Sequence, residues 1–557
     1  MEIMPSESSS PLILGISGSG HDSAAALLKG PALLAAVEEE KLLRVRNPRG
    51  LPLRAIRYCL EQAQAGPRQI SHVALARPLA GESGERSSGE PWIAKQLKQE
   101  FPAAKIVVLD HHLCHAAAAY FPSPFEEAAV LTLDESGDLK TGSLSLARGT
   151  ALETLEDCYF PDSLGSLYSR VAHLAGFAAR GDEHKLQWMS AWGSPIYAPV
   201  FRNMLCRESG SLLSLDQSYF EAGRTAPGGF SGRFFQETGL NPKEPLPEDC
   251  QAALAASIQE VLEETVLAIC RSLAADHQTQ HLCLSGGVAL NALLVERVES
   301  SGLFQGVFVQ PAAGNAGNAL GAALYCAHSV LGLTPRSRLE HLYYGPSYGT
   351  AEIKDVLENC KLRFRYLQTR GELIGAAVAA LRQNHILGWF QGRMEFGPRA
   401  LGARSILASP LGPFVNENLN QYVKHRERFR VFAASVTEEK AAEYFEFGPM
   451  ARFLATVGRV RPAHRQTFAA NLLGEAEAGR SGADSLRIRV HIVDRPSNPL
   501  FWDLLEAWGK ATGLPVLFNT SFNLFGEPLV CSPRDAVRSF YCSGIDHLAI
   551  GNFFISK

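Results

Sequence analysis

The 557 residues are 46% apolar and 20% charged, with 53 basic against 57 acidic side chains and a formal net charge of −4. That balance supports a large core and, at this length, two or more domains, while lacking the basic excess of a duplex-binding surface. No basic leader precedes an apolar stretch and no run is long enough to span a bilayer, so a cytoplasmic protein without nucleic-acid or membrane partners is expected.

Residues 12–16 read as a buried strand feeding the turn Ser17-Gly-Ser-Gly20, followed by His21, Asp22 and an alanine-rich apolar segment. Asp110-His-His-Leu-Cys-His115 opens an alanine-rich helix that puts His111 and His115 one turn apart on one face. A second strand, 128–133, runs into Asp134-Glu-Ser-Gly-Asp138, and a third, 281–284, into Ser285-Gly-Gly-Val. Apolar residues at helical spacing predict a long helix over 251–277. Ligands of open α/β sheets lie beyond the carboxyl ends of strands, so these three endings predict one shared phosphate-handling cleft.

Past about residue 339 the texture changes, and Tyr343-Tyr-Gly-Pro-Ser-Tyr-Gly349 reads as a linker between domains at 1–345 and 350–557. A helix is predicted at 351–360 and strands at 386–390, 431–436, 488–493 and 514–518. The glycine-rich stretch 474–485 reads as a mobile loop, and Ser532-Pro-Arg-Asp535 as a capped helix start. No internal repeat is evident. The 11 cysteines are scattered without a C-x-x-C pair, which predicts free interior thiols.

Two imidazoles a turn apart can hold one divalent metal or can be core histidines, and Asp134 at the end of the next strand favours the metal. His112 points elsewhere on such a helix and reads as structural. No glutamate follows the first histidine, which removes a metalloprotease reading. His21 is a candidate general base with Asp22 to orient it, the alternative being a buried histidine bonded to backbone. The turns at 17–20, 134–137 and Gly286-Gly287 allow backbone N–H groups to approach phosphates. In the second half Arg399, Lys424 and Arg489 offer fixed cations, although 424–430 taken alone reads as a solvated, ion-paired face. Ser521 and Asn523, just after a strand, can bind phosphate or serve the turn itself.

The ordered series Gly20-His-Asp-Ser-Ala-Ala, Val37-Glu-Glu-Glu40, Glu183-His-Lys185, Glu395-Phe-Gly-Pro-Arg-Ala-Leu-Gly402, Val423-Lys-His-Arg-Glu427 and Phe518-Asn-Thr-Ser-Phe-Asn523 with Gly526-Glu-Pro spans nearly the whole chain. It resembles the O-carbamoyltransferases of antibiotic biosynthesis and nodulation-factor decoration. The first half, with His111, His115, Asp134, Gly286-Gly-Val-Ala-Leu-Asn291 and Pro311-Ala-Ala-Gly-Asn-Ala-Gly317, is also similar to the tRNA threonylcarbamoyl-transfer protein of the actin-like, sugar-kinase-like ATPase superfamily. The resemblance implies an α/β chain with an N-terminal actin-like transfer domain and a C-terminal α/β domain similar to threonylcarbamoyl-adenylate synthase. Carbamoyl phosphate and ATP, accompanied by Mg²⁺, would form carbamoyl-adenylate in the second domain. The first would pass the carbamoyl group to a hydroxyl of a small natural product.

The resemblance further implies phosphate contacts from Arg399, Lys424 and Arg489, functional roles for Ser521 and Asn523, and nucleotide contacts from Lys185, Gly286, Gly287 and Asn291. A divalent metal such as Fe²⁺ would sit on His111, His115 and Asp134, with Asn315 in the fourth position. The family has Asp there, and a neutral amide implies weaker binding or another ion preference. Gln187-Trp-Met departs from the family's Met-Gly-Leu, which leaves the acceptor open, as is homodimer formation. tRNA threonylcarbamoylation and an actin-like nucleotide switch without chemistry are the rival readings. The near-neutral charge weighs against the first and the cationic second half against the second.

Overall fold

The computed structural model describes residues 10–18, 20–77, 92–177, 181–206, 212–221, 227–412, 414–471 and 487–557. Ser19 of the first turn and the loop expected at 474–485 lie outside them. The apolar runs of the first half become strands of two sheets. One contains β1 (Leu12–Ser17), β2 (Ala24–Lys29), β3 (Ala32–Glu38), β4 (Ile70–Ala76) and β5 (Lys105–Leu109) in the order 3-2-1-4-5, with only β2 running against the others. The next strands are β6 (Glu127–Gly137), β7 (Lys140–Arg148), β8 (Ala151–Tyr159), the small pair β9 (Leu205–Cys206) and β10 (Ser214–Leu215), β11 (His281–Ser285) and β12 (Gly306–Val309). The second sheet runs 8-7-6-11-12, and only β7 is reversed.

The two sheets therefore share one topology, which is the duplicated architecture of the actin-like ATPases. The repeat that the sequence does not display is present in the fold, because a sheet preserves its apolar faces while the residues filling them drift. Between the sheets lies the helix Gly317–Tyr325, packed against the helix His111–Tyr120. Gly321 makes that approach feasible, since a Cβ there would fall 1.9 Å from the Cys114 carbonyl oxygen. The long helix forms over Glu248–His277, as its periodicity predicts.

The second half builds one mixed ten-stranded sheet from β13 (Arg365–Tyr366), β14 (Leu387–Phe390), β15 (Arg404–Ala408), β16 (Ala433–Thr437), β17 (Phe445–Glu446), β18 (Gly458–Val460), β19 (Arg487–Val493), β20 (Val516–Ser521), β21 (His547–Ile550) and β22 (Phe553–Ser556). Its order is 13-22-21-14-15-20-16-19-18-17. The sheets are separate but the core is shared: Phe396, Leu401, Phe429 and Met450 belong to the same buried cluster as Leu133, Leu186 and Val309. Residues 343–349 are pinned rather than loose, with Tyr343 Oη donating to the Leu401 carbonyl at 2.7 Å and the Tyr344 carbonyl accepting from Tyr58 Oη at 2.8 Å. Among the described residues no helix is long and apolar enough to cross a membrane.

Candidate functional site

The β1–β2 connection of the first sheet and the C-terminal end of β6 in the second face the same cavity, of about 230 Å³. From the first sheet come His21 and Asp22, and from the second Asp134 and Glu135. Asp134 is not in a turn beyond its strand, as the sequence suggests, but within β6, where the pairing with β7 is irregular between Leu133 and Gly137. Such a bulge re-aims a side chain, here toward the preceding helix. His21 Nδ1 lies 2.8 Å from Asp22 Oδ2, the orienting contact that the sequence implies.

Asp110 caps the helix His111–Tyr120 by accepting from Leu113 N at 3.1 Å, and the next turn sets both expected histidines on one face. His111 Nε2 and His115 Nε2 are 3.1 Å apart and lie 3.3 and 3.0 Å from Asp134 Oδ2. Their Nδ1 atoms are engaged elsewhere, His111 with the Arg77 carbonyl at 2.9 Å and His115 with Ser285 Oγ at 3.2 Å. The carbonyl can only accept, so His111 carries its proton on Nδ1 and turns a lone pair inward. Outer partners of this kind orient metal-bound imidazoles. Lone pairs converging with a carboxylate repel one another unless a cation or proton lies among them, so the set fits a divalent metal.

Burial opposes charge on His111, yet the bond and charge of Asp134, the Arg77 carbonyl and the charge of Asp138 together outweigh it and raise its pKa. Burial and the neighbouring His111 hold His115 low despite its own Asp134 bond, and the two imidazoles overcome burial to keep Asp134 well below the usual carboxylate range. His112 turns away, 2.8 Å from Thr132 Oγ1, and burial lowers its pKa to about 3. Asn315, implied as the fourth ligand, lies on the same cavity with its Nδ2 3.1 Å from both ring nitrogens of His21. An amide N–H can donate to an imidazole lone pair, whereas a carboxylate in its place could not.

A second cavity of about 310 Å³ is lined by Arg399, Lys424, Arg426, Arg430 and Arg489, with Arg46 reaching in from the first half. Burial, then Arg430, lowers the Arg399 pKa to about 10. Burial, then Arg426, Arg430 and Arg46, drives Lys424 well below the ordinary lysine range, and Arg426 and Arg489 are depressed the same way. Buried cations that also repel one another favour an anionic partner between them. Lys424 Nζ is directed at the turn after β20, contacting the Ser521 carbonyl at 2.8 Å, the Asn523 carbonyl at 2.9 Å and Asn523 Oδ1 at 2.6 Å. Ser521 Oγ in turn donates to Asn523 Oδ1 at 2.7 Å. Lys424 thus shapes the turn as well as charging the pocket.

Two of the sequence motifs meet to hold Arg399. Glu395 is fully buried and its Oε1 accepts from Leu401 N at 2.7 Å and Ala403 N at 2.8 Å. From the first half, Glu38 Oε1 accepts from Gly397 N at 2.6 Å, while Lys41, paired with Glu38 at 2.9 Å, donates to the Glu395 and Gly397 carbonyls.

Three expected nucleotide contacts have other duties. Lys185 Nζ sits between Asp182 and Glu427, 3.1 Å from each, because a half-buried ammonium is stabilised by carboxylates on both sides. Asn291 caps the helix Ala292–Glu299 by accepting from Leu294 N at 3.0 Å and exchanges two hydrogen bonds with Gln259, which engage both ends of its amide. Gly286, at φ +92°, packs against β6, where a Cβ would meet the Leu133 carbonyl oxygen at 2.1 Å. Gly287 and Asn291 both line the first cavity. Sequence reasoning missed Arg46, Arg426 and Arg430. The last two lie within the charged run already noted, whereas Arg46 carries no local signal.

Family models for the carbamoyltransferase N-terminus and the carbamoyltransferase C-terminus match residues 92–324 and 378–557. An uncharacterised protein of Synechocystis is 34% identical, over 98% of this chain and 96% of its own. The nodulation protein NolNO of Sinorhizobium fredii is also 34% identical, over 96% of this chain and 79% of its own. Among solved structures, component A of the (R)-2-hydroxyglutaryl-CoA dehydratase of Acidaminococcus fermentans aligns with a TM-score of 0.35 at 16% identity, covering 58% of this chain and 100% of that one.

Proposed function

Because the chain belongs to the carbamoyltransferase family, we propose that it is an ATP-dependent O-carbamoyltransferase built as two linked units, residues 1–345 and 350–557. In the cationic cavity water cleaves carbamoyl phosphate to carbamate and phosphate. A carbamate oxygen then attacks the α-phosphorus of ATP, and pyrophosphate leaves. In the first cavity an acceptor hydroxyl attacks the carbamoyl carbon of the resulting adenylate, its proton passes to His21, and AMP departs with the electrons of the C–O bond that joined it to that carbon. The acceptor class is a small hydroxyl-bearing natural product.

The observation that carries this reading is the group of mutually depressed cations around Arg399 and Lys424, which suits a phosphorylated donor and a triphosphate together. Phe525, 63% exposed on the lining of that cavity, offers a flat face to the adenine base. The test is exchange of labelled pyrophosphate into ATP: purified protein is expected to catalyse it only when carbamoyl phosphate is present. Exchange that ignores carbamoyl phosphate, or none at all, removes the proposal.

His111, His115 and Asp134 would hold the divalent ion, which supplies positive charge beside the transfer site when bound. Elemental analysis of the purified protein is expected to find close to one equivalent, and less than about a tenth of that in Asp134→Ala, because three-ligand sites lose most of their affinity with their only anion. Equal metal content in the two proteins would take the metal off these residues.

A further inference from the structure

The two cavities touch. Gly181, His184 and Leu290 line both, so among the described residues His184 is the one polar side chain shared between them. Its Nδ1 lies 2.5 Å from the Gly181 carbonyl oxygen, which can only accept, so the ring proton is on Nδ1. Burial, then the nearby Arg430, with Arg399 and Lys185 adding to it, holds the His184 pKa well below its ordinary value despite the Gly181 bond. With the proton on Nδ1 and a second proton disfavoured, Nε2 presents a lone pair. Among the described residues no protein group bonds that nitrogen.

What surrounds the neck makes an acceptor there informative. The guanidinium groups of Arg399, Arg426, Arg430 and Arg489 only donate, so they match the phosphate end of an acyl-adenylate and have nothing to offer an amide N–H. The carboxylates of Glu40 and Glu527 line only the cationic cavity, and those of Asp22, Asp134, Glu135 and Glu183 only the first, so none of them lines both sides of the neck as His184 does. The carbamoyl end differs from an acetyl or other simple acyl end in presenting an NH₂ donor.

We infer that His184 is a positioning residue of the neck, its Nε2 accepting a hydrogen bond from the carbamoyl NH₂ of the adenylate as this passes between the cavities. The inference rests on the two-step reading above. His184 makes and breaks no covalent bond; it retains the intermediate and selects a carbamoyl group over acyl groups that lack the N–H.

The experiment uses full-length enzyme with ¹⁴C-carbamoyl phosphate and ATP, without acceptor, and measures by rapid gel filtration how long labelled adenylate stays bound. Carbamoyl-phosphate-dependent ATP–pyrophosphate exchange is followed in parallel. His184→Phe keeps ring shape without the acceptor, and His184→Gln restores an acceptor oxygen near the Nε2 position. The Phe variant is expected to lose bound adenylate about tenfold faster than wild type, the Gln variant within about threefold of it, and both to exchange within about twofold of wild type. Retention in the Phe variant equal to wild type overturns the inference. So does exchange that collapses along with retention in the Gln variant, which would place His184 in the adenylating machinery. Wild-type enzyme without exchange would remove the underlying reading, a result that the variants cannot mimic.

Discussion

An Arg399→Ala enzyme is expected to lose carbamoyl-phosphate-dependent ATP–pyrophosphate exchange by roughly 10³-fold, about 4 kcal/mol of transition-state stabilisation, while melting close to wild type. Arg399 carries little of the fold: among the described residues its one hydrogen bond is to the Leu290 carbonyl at 3.5 Å, at the limit of the interaction. Burial, and then the neighbouring Arg430, push its pKa down to about 10, so removing it relieves an unfavourable buried charge in the empty pocket and leaves the phosphates of the substrates less neutralised in the filled one. Lys424→Ala is expected to lose exchange to the same extent but to melt lower, because its Nζ also organises Ser521 and Asn523. The difference in melting between these variants separates charge from scaffold. Exchange by Arg399→Ala within tenfold of wild type would show that the adenylate is made elsewhere.

For His21→Asn the two half-reactions should come apart: exchange within about twofold of wild type, and carbamoylation lowered by roughly 10²- to 10⁴-fold, the range for loss of a general base. The geometry behind this is the separation of functions between cavities. His21 lines the first cavity with Asp22 at 2.8 Å and Asn315 at 3.1 Å, and none of these residues lines the cationic one. The acceptor for the measurement comes from a mass-shift screen of hydroxyl-bearing natural products with wild-type enzyme, an increase of one carbamoyl group marking a hit. If exchange and transfer fell together in His21→Asn, the histidine would be a structural part of the hairpin and not the base.

What the amino-acid order determined by itself is local. Alternation and apolar runs placed the strands that end at Ser17, near Asp134 and at Ser285, and a spacing of four put His111 and His115 on one helical face. The ordered motifs also led to the carbamoyltransferase family. Tertiary structure decided which charges remain available. Lys185 and Asn291 look like ligands in a motif but are consumed by Glu427 and Gln259, partners 242 and 32 positions away. Lys41 reaches carbonyls 354 and 356 positions along the chain, and Arg46 enters a cavity made mostly by the second half. The reason is that periodicity encodes which face of an element is buried, whereas the counter-charge that meets a buried polar group is set by how distant elements pack. The duplicated sheet follows the same rule: topology survives as a pattern of faces after every recognisable residue repeat has gone.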